Sequence, residues 1–514
     1  MKKIIKVAIC AIFIAGVTSC NEDQVLNLTP VNSISIDDAF TTPSLIEASM
    51  NGVYNAAQIG QFNGTNPNGG RGYIWGAAFV QQNDCRGEDA VNEQGFYQFT
   101  YTATYDPGTA NNSFYWADGY RLINRCNLMI EGVNTAISSG IINAADGNDY
   151  IGQAKFLRAI THFELLNHFA RPFNFTPAAT HPGIPYREVG INTQSEIDSE
   201  LTKGRNTVAD CYSKIIADLN AAETSITNTV KSKATRGAAI AFKTRVYLAQ
   251  RDWPSVLIEA AKITNTYSLT SVPNGPFASN ISNSESIFSI SHAATLNPGV
   301  NAALASQYKT RRLVSISPII WRDLSWLSDD KRREEGVLVE TVSGRKYTNK
   351  YKDGINYTDA APVIRYAEVL LNAAEANARL STPNLPTALT LLNTVRNRSL
   401  ANAVAQTYTA AAFTTPAAMV AGIVKERRIE FLMEGRRWGD IHRLLYDDLL
   451  PSGGIPQKVN NGPAPASAYV LGTAYTGPYA VVAVPASDFK VLWPIPLIET
   501  NNNPTLLAQQ NPGW

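Results

Sequence analysis

The fold of this chain is decided by a densely charged stretch, Lys425-Glu426-Arg427-Arg428-Ile429-Glu430-Phe431-Leu432-Met433-Glu434-Gly435-Arg436-Arg437-Trp438-Gly439-Asp440-Ile441-His442-Arg443. Glu430 and Glu434 could act as general acid and base of a glycosidase only if they faced each other across a sugar, roughly 5 to 9 Å apart. On a helix, residues four apart lie side by side on one face instead. The spacing allows three stabilising pairs within the helix: Arg427 with Glu430, Glu434 with Arg437, and Asp440 with Arg443. The stretch therefore predicts a structural helix that anchors neighbouring loops.

Helical periodicity extends outward from this stretch. Apolar residues recur at three- and four-residue intervals and predict helices over 116–133, 150–169, 208–226, 235–250, 253–264, 362–380, 387–398 and 417–445. A further helix is predicted to begin at Asp37-Asp38 and to run past Tyr54. Small residues at 237–241 allow close approach between helices, as stacked helical pairs require. The sequence therefore predicts a mostly α architecture.

Two regions interrupt the helical pattern. Residues 58–107 are rich in Gly, Asn, Gln and aromatic residues, and residues 267–359 combine loops with an alternating strand pattern at 286–290. Long irregular regions in compact domains are usually functional or disordered, and the aromatic residues argue against disorder. We expect one domain over 31–514, with a helical scaffold at about 110–265 and 362–446 and two loop-rich binding regions.

The first residues have the layout of a bacterial secretion signal. Lys2, Lys3 and Lys6 precede an apolar run at 7–17 that is too short to span a bilayer, and Val17-Thr18-Ser19-Cys20 follows. A small-residue site directly before a cysteine resembles a lipobox. We therefore predict a lipoprotein signal peptide at 1–19, lipidation of Cys20, and a tether at 20–30. The alternative is an ordinary cleaved signal with an incidental cysteine.

Composition excludes several classes of function. The 44 Lys and Arg residues nearly equal the 43 Asp and Glu residues, so the chain lacks the basic excess of a nucleic-acid binder. Cys85, Cys126 and Cys211 are isolated and odd in number, which argues against a disulfide framework but leaves one bridge open. The histidines form no HExxH motif, so a metal site built from Cys and His is not expected. The chain also lacks a GxSxG nucleophile motif and a phosphate loop.

The charged stretch resembles the ERRxEFxxEGxRWxDLxR segment of the SusD/RagB family, surface lipoproteins that capture nutrients beside a TonB-dependent transporter. Further family motifs are matched in order along the chain, at 26–30, 51–54, 116–127, 154–159, 183–185, 365–376, 392–396 and 493–514. Three residues depart from the commonest pattern: Gly439, His442 and the terminal Trp514. The resemblance spans nearly the whole chain after Cys20.

The resemblance implies a tetratricopeptide-like scaffold of helical pairs, a loop-rich ligand-binding half and no catalytic machinery. It implies a glycan-binding lipoprotein of the outer membrane that faces the cell exterior. Such a protein captures oligo- or polysaccharide and delivers it to a SusC-type TonB-dependent transporter. No cofactor is implied, and a structural calcium ion held by backbone and Asp oxygens stays open.

Glycan recognition needs aromatic faces for the apolar side of sugar rings and polar groups for the hydroxyls. The two loop-rich regions offer both, and the candidate ligand-binding residues are Tyr73, Trp75, Asp84, Arg86, Phe96, Tyr97, Tyr308 and Trp321. Binding aromatics vary between members of the family, so these are regional candidates only. Trp116, Trp326 and Trp438 are expected in the core instead.

Two other functions stay open at this point. A peptide-binding subunit of a RagAB-type importer would have a site with fewer flat aromatic platforms and more backbone donors. A lipid-anchored glycoside hydrolase would need opposed carboxylates in a cleft and would release product from an oligosaccharide. Saturable binding without turnover would distinguish a binding protein from the hydrolase.

Overall fold

Helices dominate residues 38–60 and 70–514, the ranges that the computed structural model describes, so the predicted mostly α class is confirmed. The predicted signal peptide, Cys20, the tether at 20–30 and the motif at 26–30 lie outside these ranges. The longer helices are α1 (Pro43–Ile59), α2 (Ala77–Cys85), α3 (Ala110–Ser138), α4 (Ala144–Phe169), α5 (Val208–Ser225), α6 (Arg236–Gln250), α7 (Trp253–Lys262), α8 (Tyr366–Arg379), α9 (Leu385–Asn397), α10 (Pro416–Glu430) and α11 (Arg437–Arg443).

Short helices and strands fill the regions between the long helices. The short α-helices are Gln98–Thr102, Gln194–Glu200, Gly275–Ala278, Gly299–Ala302, Pro318–Trp321, Ala403–Gln406, Leu497–Thr500 and Pro504–Ala508. The strands are β1 (Ala90–Asn92), β2 (Ser286–Ile290), β3 (Val314–Ile316), β4 (Val339–Val342), β5 (Arg345–Thr348), β6 (Ala361–Arg365), β7 (Gly454–Ile455) and β8 (Val484–Pro485). They pair antiparallel as β1–β3, β2–β6, β4–β5 and β7–β8.

The long helices form a stacked array. Helices α3 to α9 each pack on the next in chain order, and α10 packs on both α8 and α9. Polar side chains cap several helix starts and fix where each helix begins, for example Thr207 for α5, Thr235 for α6 and Thr415 for α10. The array is the helical scaffold that the apolar periodicity predicts.

Two predicted helix starts differ from the structure for identifiable reasons, one local and one that involves a distant strand. Helix α1 begins at Pro43, five residues after Asp38, since the Thr42 side chain caps it and proline favours the first helical position. The predicted helix at 362–380 begins only at Tyr366. The preceding Ala361–Arg365 segment is strand β6, which pairs with the buried strand β2.

The predicted single helix at 417–445 is broken into α10 and α11. Met433 and Gly435 have φ of 62° and 71°, the left-handed region that ends an α-helix. The turn lies against α2: a Cβ on Gly435 would stand 2.9 Å from Val80 Cα, and the Gly435 amide donates to Asp84 Oδ1 at 3.1 Å. Packing of this turn on α2 therefore decides the break.

The break also changes how the charged stretch pairs. Asp440 and Arg443 form the expected pair at 2.9 Å. The other two predicted pairs are wrong, because the arginine of each pair binds a carboxylate outside its own helical turn. Arg427 binds Asp440 at 2.8 Å, and Arg437 binds Glu88 at 2.7 Å.

Glu430 and Glu434 are both structural anchors. Glu430 contacts Arg332, Arg365 and Arg398, and Glu434 contacts Lys350 and Arg365. Burial alone would raise the pKa of Glu430, but the positive charges of Arg398 and Arg365 hold it well below its usual value. The carboxylate therefore stays ionised and joins α10 to the loop-rich region and to β6. The structural interpretation of the stretch holds, with partners far away in sequence.

The described core contains the three tryptophans that were expected there. Trp116, Trp326 and Trp438 are buried. Cys85, Cys126 and Cys211 are buried and unbridged. In the described ranges, no helix is long and apolar enough to cross a membrane.

Candidate functional site

The predicted site residues at 73–75 lie inside the protein. Trp75 is 1% exposed and its indole donates to Thr161 Oγ1 at 3.2 Å, while its ring packs on Phe79. The Tyr73 hydroxyl donates to Asn111 Oδ1 at 3.0 Å. Because these rings are enclosed by α3 and α4 partners, neither presents a face to solvent in this conformation.

Asp84 and Tyr308 are brought together from the two loop-rich regions, but they are buried. The Tyr308 hydroxyl donates to Asp84 Oδ2 at 3.1 Å, and burial raises the pKa of Asp84 to about 8. Arg86 is also fully buried, with its guanidinium 3.6 Å from the Trp438 ring centre, and burial lowers its pKa. These groups join α2 to the core and do not face a ligand.

The remaining predicted residues differ in exposure. Tyr97 is buried, whereas Phe96 is half-buried under the guanidinium of Arg71, which lies 4.4 Å from the ring centre. Trp321 is 5% exposed and donates to Tyr469 O at 3.2 Å. Arg333 and Lys346 both lie over the Trp321 ring. Phe96 alone of the predicted aromatics keeps part of its ring accessible.

Three parts of the chain meet around β1, and we call the surface they form the loop face: residues 92–97, 312–347 and 461–482. Asn92 donates to Asn461 Oδ1 at 2.7 Å, and the Gly462 amide donates to Asn92 O at 2.8 Å. The Tyr347 hydroxyl donates to Glu93 at 2.6 Å. The third part follows α11 and lies outside both predicted binding regions, so the sequence analysis did not include it.

The loop face carries two half-exposed tyrosines beside an arginine. Tyr475 and Tyr479 contact each other edge to face, with ring centres 5.5 Å apart at 88°. The guanidinium of Arg322 lies 5.7 Å from the Tyr475 ring centre. It also donates to Thr473 O at 2.9 Å and to Thr473 Oγ1 at 2.6 Å. The arginine therefore ties the 473–479 segment to the end of the Pro318–Trp321 helix.

Hydrogen bonds fix both tyrosine rings. The Tyr475 hydroxyl donates to Pro478 O at 2.9 Å, and the Tyr479 hydroxyl donates to Tyr475 O at 3.1 Å. Burial raises the pKa of Tyr475, so the phenol is neutral at physiological pH. Aromatic rings held in place beside a permanently charged donor can offer a ring face to the apolar side of a sugar and hydrogen bonds to its hydroxyls at the same time.

The sequence does contain a signal for this pair. The segment Tyr475-Thr476-Gly477-Pro478-Tyr479 places two aromatics in a Gly- and Pro-containing turn with no helical or strand periodicity. Aromatic residues in such a turn have no regular element to bury them, so their exposure could have been expected. The position of Arg322 beside them could not have been expected, because this residue lies far away in the sequence.

The described residues contain no group of His, Cys, Asp and Glu that could hold a metal ion. The carboxylate of Asp353, in a loop, accepts hydrogen bonds from the Asn356 amide and from the Thr358 hydroxyl. The site in this part of the chain is thus one of aromatic rings, hydroxyls and guanidinium groups.

Two family models match the chain. One, described as the SusD family, matches residues 323–514, and the other, described as starch-binding associating with outer membrane, matches residues 41–248. Together they cover most of the sequence. No curated protein sequence matches the chain.

Solved structures of similar proteins cover nearly the whole chain. A SusD superfamily protein from Bacteroides fragilis is 26% identical, covers 91% of this chain and 100% of its own, and has a TM-score of 0.74. A putative sugar binding protein from Bacteroides vulgatus is 24% identical over 93% of this chain and 99% of its own, with a TM-score of 0.73. A SusD superfamily protein from Bacteroides thetaiotaomicron is 21% identical over 93% and 100%, with a TM-score of 0.72. The latter two show the shared fold.

Proposed function

Because the chain belongs to the SusD/RagB family, we propose that it is a glycan-binding lipoprotein of the outer membrane. In this proposal it captures oligo- or polysaccharide at the cell exterior and delivers it to a SusC-type TonB-dependent transporter. Lipid at Cys20 would hold it beside that transporter and raise the effective concentration of each for the other.

Similarity to other proteins supports the ligand class. The family model that matches residues 41–248 is described as starch-binding and outer-membrane associated. One similar solved structure is that of a putative sugar binding protein, and another, from Bacteroides vulgatus, is that of a SusD-like carbohydrate binding protein. Starch-type oligosaccharides are therefore the first ligands to test.

The observation that carries the proposal is the pair Tyr475 and Tyr479 beside Arg322 on the loop face. Most large aromatics of the chain are in the core, whereas these two rings are half-exposed and held by hydrogen bonds. A preformed aromatic site binds a flexible sugar without first losing side-chain freedom of its own. The guanidinium supplies donors for ring hydroxyls.

Calorimetric titration with maltoheptaose and a panel of other oligosaccharides tests the proposal. We expect saturable binding of at least one glycan, and a Kd at least tenfold higher for Tyr475→Ala and Tyr479→Ala, since each removes aromatic contact area worth about 1.4 kcal/mol. Tyr150→Ala is the matched control, because Tyr150 is half-buried on helix α4 of the scaffold.

Unchanged affinity in both loop-face variants would place the glycan elsewhere. Binding of peptides but of no glycan would favour the peptide-binding subunit of a RagAB-type importer instead. The same samples test for catalysis: because Glu430 and Glu434 are occupied by arginine and lysine, we expect no product release during long incubation with a bound glycan.

The residues that the sequence nominated have different expected effects. Phe96→Ala removes a half-exposed ring near the loop face and should lower glycan affinity. Trp75→Ala and Trp321→Ala remove buried rings, so we expect loss of stability, with any effect on affinity following from it. If Trp75→Ala stays folded but loses most of its glycan affinity, the glycan site lies in the 73–97 region and not at Tyr475 and Tyr479.

A further inference from the structure

An open cleft of about 530 Å³ lies on the scaffold, between α3 and the segment 187–201. This volume falls in the range of sites that enclose a small molecule, roughly 300 to 1,000 Å³. Both walls carry aliphatic side chains: Ile123, Leu128, Val189, Ile191, Ile197 and Leu201. The cleft contains none of the loop-face residues, so it is separate from the proposed glycan site.

The wall opposite α3 is held in place by hydrogen bonds to that helix. Asn124 donates to Ile191 O at 3.0 Å and accepts from the Ile191 amide at 2.7 Å. The Tyr120 hydroxyl donates to Pro185 O at 2.8 Å. Because both ends of the 185–191 segment are tied to α3, the cleft is preformed and a ligand need not open it.

Three arginines line the cleft, Arg121, Arg125 and Arg187, against two glutamates, Glu200 and Glu499, so the lining carries one more positive than negative charge. The Glu499 carboxylate accepts a hydrogen bond from the Trp116 indole at 3.0 Å. Arg187 is neutralised by Glu200 at 2.6 Å. In contrast, no described carboxylate lies within salt-bridge distance of Arg125, whose Nη1 donates only to the backbone carbonyl of Gly52 at 3.3 Å. Arg121, one turn away, pairs with Asp118 at 3.2 Å and is 41% exposed.

Burial and the neighbouring charge of Arg121 lower the pKa of Arg125. A bound anion would stabilise the charge of this partly buried arginine, because carboxylates and guanidinium groups form short charge-assisted hydrogen bonds. The aliphatic walls at the same time favour an apolar body.

We propose that this cleft is a second binding site, which takes a small amphipathic organic anion. Its aliphatic body lies between the walls that Leu128 and Ile197 line, and its carboxylate pairs with Arg125. The proposal does not depend on glycan binding: it concerns other residues, and its failure would leave the loop face untouched.

Octanoate is the probe, and octan-1-ol is its uncharged control, both titrated into the purified protein by calorimetry. We expect saturable octanoate binding at one site and at least tenfold weaker binding of octanol. Arg125→Gln should raise the octanoate Kd at least tenfold and should bring it close to that of octanol.

A second variant tests the apolar wall without threatening the fold. Ile197 is 40% exposed, so Ile197→Glu should leave thermal unfolding unchanged while it repels the anion and raises the octanoate Kd at least tenfold. Arg236→Gln is the control, because Arg236 is an exposed arginine at the start of α6, outside the cleft. Equal binding of octanoate by all variants, equal binding of octanoate and octanol, or no saturable octanoate binding would each overturn the proposal.

Discussion

Glu430 shows how one residue can be structural where its sequence context suggests catalysis. Its carboxylate contacts three arginines that come from three other parts of the chain, Arg332, Arg365 and Arg398. The side chains of Glu430, Arg332 and Arg365 are buried, and that of Arg398 is 6% exposed. Glu430 therefore compensates positive charge inside the protein, together with Glu285, Glu426 and Glu434.

Glu430→Gln should lower the free energy of unfolding by about 1.5 to 3 kcal/mol, the usual contribution of a hydrogen bond to a charged group, because each arginine keeps another carboxylate partner. Urea denaturation followed by circular dichroism measures this change. The matched control is Glu47→Gln, whose side chain is 59% exposed and 4.0 Å from Lys233 and should change stability by less than about 0.5 kcal/mol. Equal effects for the two variants would contradict the network.

Asp84 gives a pH-dependent prediction at the same scale. Its pKa of about 8 in the folded protein lies above the value of about 4 expected in the unfolded chain. Between these values the folded state binds more protons than the unfolded state, so stability falls as pH rises through this window. Below about pH 4 the carboxyl is protonated in both states, so Asp84 no longer makes stability depend on pH.

Asp84→Asn removes the titration and isolates its effect. The free energy of unfolding of the wild type, relative to that of Asp84→Asn, should fall by up to about 1.4 kcal/mol per pH unit between about pH 4 and 8. Urea denaturation at several pH values measures this difference. A difference that does not change with pH would show that Asp84 keeps an ordinary pKa.

At the scale of elements, the turn between α10 and α11 decides how the loop-rich region joins the scaffold. Two glycines of the same motif behave differently there. Gly435 has φ of 71° and lies against the backbone of Val80, whereas a Cβ on Gly439, within α11, would meet no atom within 4 Å.

Gly435→Ala should lower the melting temperature, because alanine is strained at this φ and its methyl group would push α2 away. We expect the free energy of unfolding to fall by about 2 kcal/mol or more. Gly439→Ala should be neutral or should stabilise by about 0.5 to 1 kcal/mol, since alanine favours a helix interior. Thermal unfolding of both variants measures the contrast. A destabilised Gly439→Ala and an unchanged Gly435→Ala would contradict this account of the turn.

At the scale of the whole molecule, the proposed function requires attachment to the membrane through Cys20. In cells, Cys20→Ala should move the protein from the outer-membrane fraction to a soluble fraction and should abolish incorporation of labelled palmitate. Cys85→Ala is the control, because Cys85 is buried and unbridged and should not affect fractionation. Retention of Cys20→Ala in the membrane without label would contradict the predicted lipid anchor.

Local patterns determined most of the scaffold. The predicted bounds of α5, α6, α7 and α9 agree with the structure within about two residues, and those of α3 and α4 within six. Prediction succeeds here because apolar periodicity and capping residues such as Thr207 and Thr235 act over one or two helical turns. Failures occurred where a distant segment competes: Ala361–Arg365 pairs as a strand with β2, and the turn at Gly435 is set by α2.

The candidate site was much less predictable. Aromatics in the loop-rich regions were the predicted candidates, yet the sequence could not tell Trp75, enclosed by α4, from Tyr475, half-exposed on the loop face. Arg322 reaches Thr473 over 151 positions, a contact that no spacing rule encodes.

The sequence by itself determined most of the helical scaffold, because helix formation depends on residue spacing within one or two turns. It also carried the family motifs. The tertiary structure alone decided which aromatics are buried, which partners Glu430 and Glu434 take, and that residues 461–482 belong to the loop face. Burial and long-range pairing depend on how distant segments pack, and that packing is a property of the whole chain.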